Sequence, residues 1–181
     1  MQPAGKTRTD LVAALIEDDG SGAVDVRLAL RRPELVRTLA LVEPLLSTLL
    51  RDAGDPLSDE CRHTAESFVH RARAGQGAQA WALFLDHRNG PGTRAGMADK
   101  ARARFLAQTA EGFLSNPSNP MAPGDCRRVP AQTTIVRGGE TTAPDRRVAE
   151  LLRDAIPGAG RMSSPTRPEE LARIVIGHLE R

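Results

Sequence analysis

Apolar residues along this chain fall into two kinds of pattern, and their order predicts its elements. Over most of the sequence they recur every three or four residues, as on one face of a helix. Leu11, Val12, Leu15 and Ile16 do so behind a Thr9-Asp10 cap, and Val26 and Leu30 do so again before Pro33 closes the run. In two places the pattern changes. Thr38-Leu39-Ala40-Leu41-Val42 is apolar on both alternating faces, as a strand covered on both sides reads, and Glu43-Pro44 ends it abruptly. Gln132-Thr133-Thr134-Ile135-Val136-Arg137 is a second β-rich run, ended by Gly138-Gly139.

Between the two strands, 45–114 reads as helical throughout. Leu45, Leu46, Leu49 and Leu50 begin it, Gly54-Asp55-Pro56 interrupts it, and Ser58 is placed to cap a helix carrying Phe68 and Val69. Gly75-Gln76-Gly77 and Arg88-Asn89-Gly90-Pro91-Gly92 bound a helix with Trp81, Leu83, Phe84 and Leu85, and Met97, Ala101, Phe105 and Phe113 mark the next. Four prolines make 115–130 a loop. After the second strand Pro144 starts a helix with Val148, Leu151 and Leu152, and Ile156-Pro157-Gly158-Ala159-Gly160 closes it. Pro168 opens a last helix with Leu171, Ile174, Val175 and Leu179 inward. The expectation is an α/β chain of few parallel strands flanked by helices, in three segments: 1–44, a helical insertion at 45–128, and 129–181.

Composition narrows the function classes. Aromatic residues make up 3% of the chain, with one Trp and no Tyr, so stacking on nucleic-acid bases is poorly supported. Net charge is +2, too small to favour a nucleic-acid partner electrostatically. No apolar run approaches a membrane span, and residues 1–10 lack the apolar core of a secretory signal. Cys61 and Cys126 make neither a disulfide framework nor a metal knuckle. These features fit a cytoplasmic protein with free thiols.

Three stretches carry a resemblance. Residues 29–44 look like the helix after a nucleophile elbow with its next strand, 131–140 like a later strand with its glycine turn, and 156–171 like a catalytic-histidine loop and final helix. In this order they resemble the α/β-hydrolase fold superfamily, in its cap-bearing esterase, dehalogenase and epoxide-hydrolase-like branch. The resemblance implies a partial α/β-hydrolase fold in which 45–128 is the cap. It further implies hydrolysis of a small ester, halide or epoxide by water, through an enzyme-linked intermediate, without cofactor or metal.

That chemistry needs a nucleophile on a strained turn, a histidine and a carboxylate that orients it. Aligning Gly22-Ala23-Val24 with the start of the helix puts Asp19 at the nucleophile position, within Asp18-Asp19-Gly20-Ser21-Gly22; Ser21 falls off register. Glu43 stands at the strand end where some members place the acid, and Glu140 stands after the later strand where others do. In the histidine loop Gly158-Ala159-Gly160 is followed by Arg161, so Arg161 occupies the family's histidine position, and Arg167 occupies that of a second histidine. Arginine stays charged and accepts no proton. The triad is thus degenerate. Nothing before Lys6 supplies the early strands, and 155–160 leaves no room for a strand before the histidine loop, so the sequence predicts a truncated sheet of two strands. Its edges would need a second copy or a partner to cover them.

Two further readings compete. His63, Glu66 and His70 fall at i, i+3 and i+7 on one helical face, a metal-like spacing that a solvated polar face explains better. The helical insertion also suits a catalytically inactive binding or interaction protein on a hydrolase-derived scaffold.

Overall fold

The computed structural model describes residues 22–107, 122–139, 141–164 and 168–179. In chain order these form α1 (Gly22–Arg31), β1 (Thr38–Val42), α2 (Thr48–Asp52), α3 (Leu57–Arg73), α4 (Gly77–Asn89), α5 (Thr93–Gly96) and α6 (Asp99–Ala107). Then follow α7 (Pro123–Cys126), β2 (Gln132–Gly138), α8 (Ala143–Ala155), β3 (Gly160–Ser164) and α9 (Pro168–Leu179). The helix expected over 9–16 lies outside the described residues.

The three strands form one parallel sheet in the order β1-β2-β3. Leu41 stands opposite Ile135, and Ile135 opposite Arg161. Parallel neighbours require crossover connections, and the chain supplies them as helices. The crossover from β1 to β2 is the whole run from α2 to α7; the one from β2 to β3 is α8. Leu39, Leu41 and Ile135 join Val26 and Ala29 of α1 and Val148, Ala149 and Leu152 of α8 in one buried cluster. Each large side chain fully withdrawn from water there stabilises the fold by about 1.5–3 kcal/mol. Thr133 is buried among them because its hydroxyl donates to the Ala131 carbonyl at 2.9 Å. Helix α9 lies against β1.

Two expectations are corrected. The sheet has three strands among the described residues, not two, because Gly160–Ser164 pairs with β2. Arg161 accordingly lies within β3 rather than in a loop beyond the sheet, and 165–167, which connect β3 to α9, lie outside the described residues. The stretch 156–160 is a turn into the strand, with Gly158 at a φ of 67° that favours glycine. Helix α3, for its part, is not capped by Ser58. It starts one residue earlier, and the Asp55 carboxylate accepts the Leu57 N–H at 3.1 Å.

Helices α3 and α4 have a core of their own. Phe68, Ala80 and Trp81 are buried in a cluster distinct from that of the sheet, with Phe84 and Phe105 packed against it. The Phe68 and Trp81 rings meet edge to face at 5.1 Å, and Phe105 closes on Trp81 at 5.0 Å. The scarce aromatic residues are thus gathered in the insertion, while the sheet is packed by aliphatic ones. No helix among the described residues is long and apolar enough to cross a membrane.

Candidate functional site

In open parallel sheets, ligands gather at the carboxyl ends of the strands. Here that edge is built around Glu43. Its backbone N–H continues the ladder to the Val136 carbonyl at 2.9 Å, and its φ of 45° then turns the chain out of the strand. A non-glycine residue held in this left-handed region costs about 1–2 kcal/mol. The carboxylate offsets part of that cost, because Oε1 accepts the Gly138 N–H at 2.8 Å and ties the end of β1 to the end of β2. A Cβ at Gly138 would sit 2.9 Å from the same oxygen, so the end of the Glu43 side chain would have to shift to admit any larger residue there.

Beyond Glu43, Leu45, Leu46 and Ser47 lead into α2 and form one wall of a cavity of about 250 Å³. Phe68 and Val69 of α3, Phe84 of α4 and Val148 of α8 complete its apolar surface. Cys61, His87, Arg88 and Asp145 supply polar groups to the same lining, and Glu43 is not among the lining residues. The cavity therefore sits at the seam between the aromatic core of the insertion and the sheet with α8.

The polar groups are mutually engaged. Arg88 pairs with Asp145 at 3.0 Å, the two side chains being 20% and 12% exposed. Asp145 also accepts the Thr142 hydroxyl proton at 2.6 Å, while the Thr142 oxygen receives the Asp145 N–H at 3.3 Å, which caps α8. His87 stands 3.6 Å from Glu60. Burial pushes the Cys61 thiol up from its ordinary range; the negative charges of Asp145 and Glu60 add to this and Arg88 opposes it. The thiol of Cys126, inside the main core, is pushed up to about 11, mainly by burial. Both cysteines are free.

Of the sequence-predicted triad positions, the described residues include the side chain of Glu43 alone. Glu43 is where the sequence put it, with its carboxylate taken up by Gly138. Asp19, Ser21 and Glu140 lie outside the described residues. Arg161 is described by its backbone alone, in β3 opposite Ile135. His63, Glu66 and His70 occupy the exposed side of α3, where Glu66 pairs with Arg62 at 3.2 Å. Among the described residues no group of His, Cys, Asp and Glu is arranged to hold a metal ion. Sequence reasoning passed over Asp145 and Arg88, although the pattern Thr142-x-x-Asp145 before an apolar helix was there to be read. His87, in the last turn of α4, likewise lies on the cavity wall.

No family model matches the sequence, and no curated protein is significantly similar to it. Solved structures are similar to it in fold. An α/β hydrolase enzyme from a Medee basin deep-sea metagenome library superposes with a TM-score of 0.66 at 12% identity, over 99% of this chain and 74% of its own. An acetylester hydrolase from Corynebacterium glutamicum gives 0.65 at 12% identity, over 99% and 68%. A carboxylesterase of Nitrososphaera gargenis gives 0.60 at 16% identity, over 97% and 72%. The chain has an α/β-hydrolase fold, and it spans about seven tenths of the length of these neighbours.

Proposed function

We propose that this chain, built on an α/β-hydrolase fold, binds a small and largely apolar organic molecule between its helical insertion and the carboxyl edge of its sheet. The insertion would serve as the cap. The observation that carries the reading is the cavity of about 250 Å³ at that seam, with Leu45, Phe68, Phe84 and Val148 on its walls and a few polar groups among them. A concave apolar site with sparse polar anchors is the usual form of a small-molecule site. The neighbours by fold include an acetylester hydrolase and a carboxylesterase, which favours a short-chain ester as the ligand.

Binding is favoured over turnover. The reaction implied by the resemblance needs a proton acceptor beside a nucleophile, and Arg161 cannot act as one. The Glu43 carboxylate, which would orient such a base, has one of its two oxygens tied to the Gly138 amide. We therefore assign the chain ligand binding on a hydrolase scaffold, with little or no hydrolysis.

Trp81 reports on the test, because it packs edge to face on Phe68, which lines the cavity. Purified protein titrated with ethyl butyrate should show a saturable change in Trp81 fluorescence, and p-nitrophenyl acetate and butyrate should be hydrolysed no faster than in buffer. Absence of any fluorescence change across short-chain esters would overturn the binding reading. Turnover abolished by Asp19→Ala and by Glu43→Ala would replace it with a working hydrolase.

A further inference from the structure

Two polar groups of the cavity wall are held in place but not fully used. Asp145 and Arg88 meet at 3.0 Å, and both line the cavity. The Asp145 carboxylate is fixed through one oxygen: Oδ2 receives the Arg88 contact and also accepts the Thr142 hydroxyl proton at 2.6 Å. Oδ1 accepts no hydrogen bond among the described residues, although the side chain is largely withdrawn from water. A carboxylate oxygen in such surroundings is costly until a donor reaches it. Arg88 is held by the same contact and by the face of Phe84, 5.9 Å from its guanidinium carbon. A guanidinium carries a fork of N–H donors, and the one contact with Asp145 leaves donors over.

We propose that Asp145 and Arg88 together select a ligand with a hydroxyl on the carbon next to its carbonyl. The hydroxyl donates to Asp145 Oδ1, and the carbonyl oxygen accepts from Arg88. The inference rests on the reading of the cavity as an ester-binding site and narrows it, from a simple short-chain ester to an α-hydroxy ester. Charge favours a neutral ligand. An ammonium group would suit Oδ1 but would meet the Arg88 cation beside it, and a ligand carboxylate would meet Asp145. Spacing favours neighbouring carbons, because the two side chains are in contact and the ligand's donor and acceptor must lie equally close together. The alkyl groups are left to Leu45, Phe68, Phe84 and Val148. Both polar groups are ordered before the ligand arrives, so little of the bonding free energy is lost in fixing them. A plain ester fills the same apolar space and engages Arg88, but it has no proton to offer Oδ1. A hydrogen bond to an ionised acceptor is of the stronger kind, so the difference should be measurable.

A matched set of ligands tests this on the unaltered full chain, through Trp81 fluorescence. Ethyl butyrate is the reference, ethyl α-hydroxybutyrate adds the hydroxyl, and ethyl α-methoxybutyrate keeps the oxygen without its proton. The hydroxy ester should bind about tenfold more tightly than ethyl butyrate, the size of one charge-assisted hydrogen bond, and the methoxy ester no more tightly than ethyl butyrate. Asp145→Asn then assigns the effect. The oxygen of the new amide stays where Arg88 and the Thr142 hydroxyl need an acceptor, so its N–H₂ takes the place of Oδ1 and offers donors there. The hydroxy and methoxy esters, both acceptors, should bind this variant alike. If the variant does not fold, the series on the unaltered protein decides. Equal affinity for ethyl butyrate and the hydroxy ester would overturn the inference and leave the ester-binding reading standing. A methoxy ester as tight as the hydroxy ester, or a hydroxy preference that survives Asp145→Asn, would also overturn it. No fluorescence response to any of the ligands would overturn the binding reading itself, and the inference with it.

Discussion

The Glu43 carboxylate accepts the backbone N–H of Gly138 across 95 residues of chain, at 2.8 Å. The bond joins the carboxyl ends of two parallel strands at the point where the first leaves the sheet in a left-handed turn. The side chain that the resemblance would assign to catalysis thus also braces the edge of the sheet.

The brace is tested by removing either partner. Glu43→Ala leaves the Gly138 amide without its acceptor while keeping the unfavourable backbone turn, and should cost about 1–3 kcal/mol in urea unfolding. Glu43→Gly loses the same bond but takes a φ of 45° freely, so it should cost less than Glu43→Ala. The reverse order would show that the turn is unstrained.

Gly138→Ala addresses the same contact from the other side. The new methyl meets Glu43 Oε1 at 2.9 Å, and displacing that oxygen should destabilise the protein by about 1–3 kcal/mol. The double variant Gly138→Ala with Glu43→Ala should cost clearly less than the sum of the two single changes, because the clash disappears with the carboxylate. Strict additivity in thermal melts would argue against a direct contact.

Asp55 sets an acid limit. The hydrogen bond from the Arg147 guanidinium, followed by the Leu57 amide, holds its carboxyl below the ordinary value of 3.8. A depressed carboxylate stabilises the fold fully above its unfolded-state pKa and loses that contribution as the pH falls below 3.8 towards the folded-state value. Asp55→Asn should therefore melt earlier than wild type at neutral pH, and the gap should narrow below pH 3.8. A gap independent of pH would mean that packing, not ionisation, is what the substitution disturbs.

The aromatic core of the insertion gives a separate prediction. Phe68→Ala empties a fully buried site beneath Trp81 and should cost about 3–5 kcal/mol. The loss falls on the insertion, so near-ultraviolet dichroism from Trp81 should fade at lower temperature than the far-ultraviolet signal of the whole chain. Coincident transitions would show that the two cores melt as one unit.

What was legible in the sequence follows from how each element is buried. β2 is buried continuously over Thr133–Val136, whereas β1 alternates buried Leu39 and Leu41 with half-buried Thr38 and Ala40 before an exposed Val42; both still read as apolar or β-branched runs, and the fold implied by their order with the helices is the fold found. β3 was missed because Gly160-Arg161-Met162-Ser163-Ser164 has a single large apolar residue; its strand state comes from pairing with β2, a tertiary effect that local pattern does not carry. Glu43 was found by position, and Gly138 was not recognised as its partner because register between distant strands is invisible to periodicity. Asp145 was hidden in plain view: its capping role was readable, but its second role, facing Arg88 across the seam, depends on where α4 ends in space.

The long separation that the Glu43–Gly138 bond spans also has a cost in time. Ribosomes add about 5–20 residues per second, so β1 emerges roughly 5–20 s before the strand it pairs with. During that interval Thr38-Leu39-Ala40-Leu41-Val42 is an apolar, uncharged segment without β2 beside it, a composition that favours pairing with other nascent chains. The helices of the insertion, whose contacts are local, are made in that same interval and fold fastest. Yield in the cell should thus be limited by the wait of the first strand for the second, and slower synthesis should lower it.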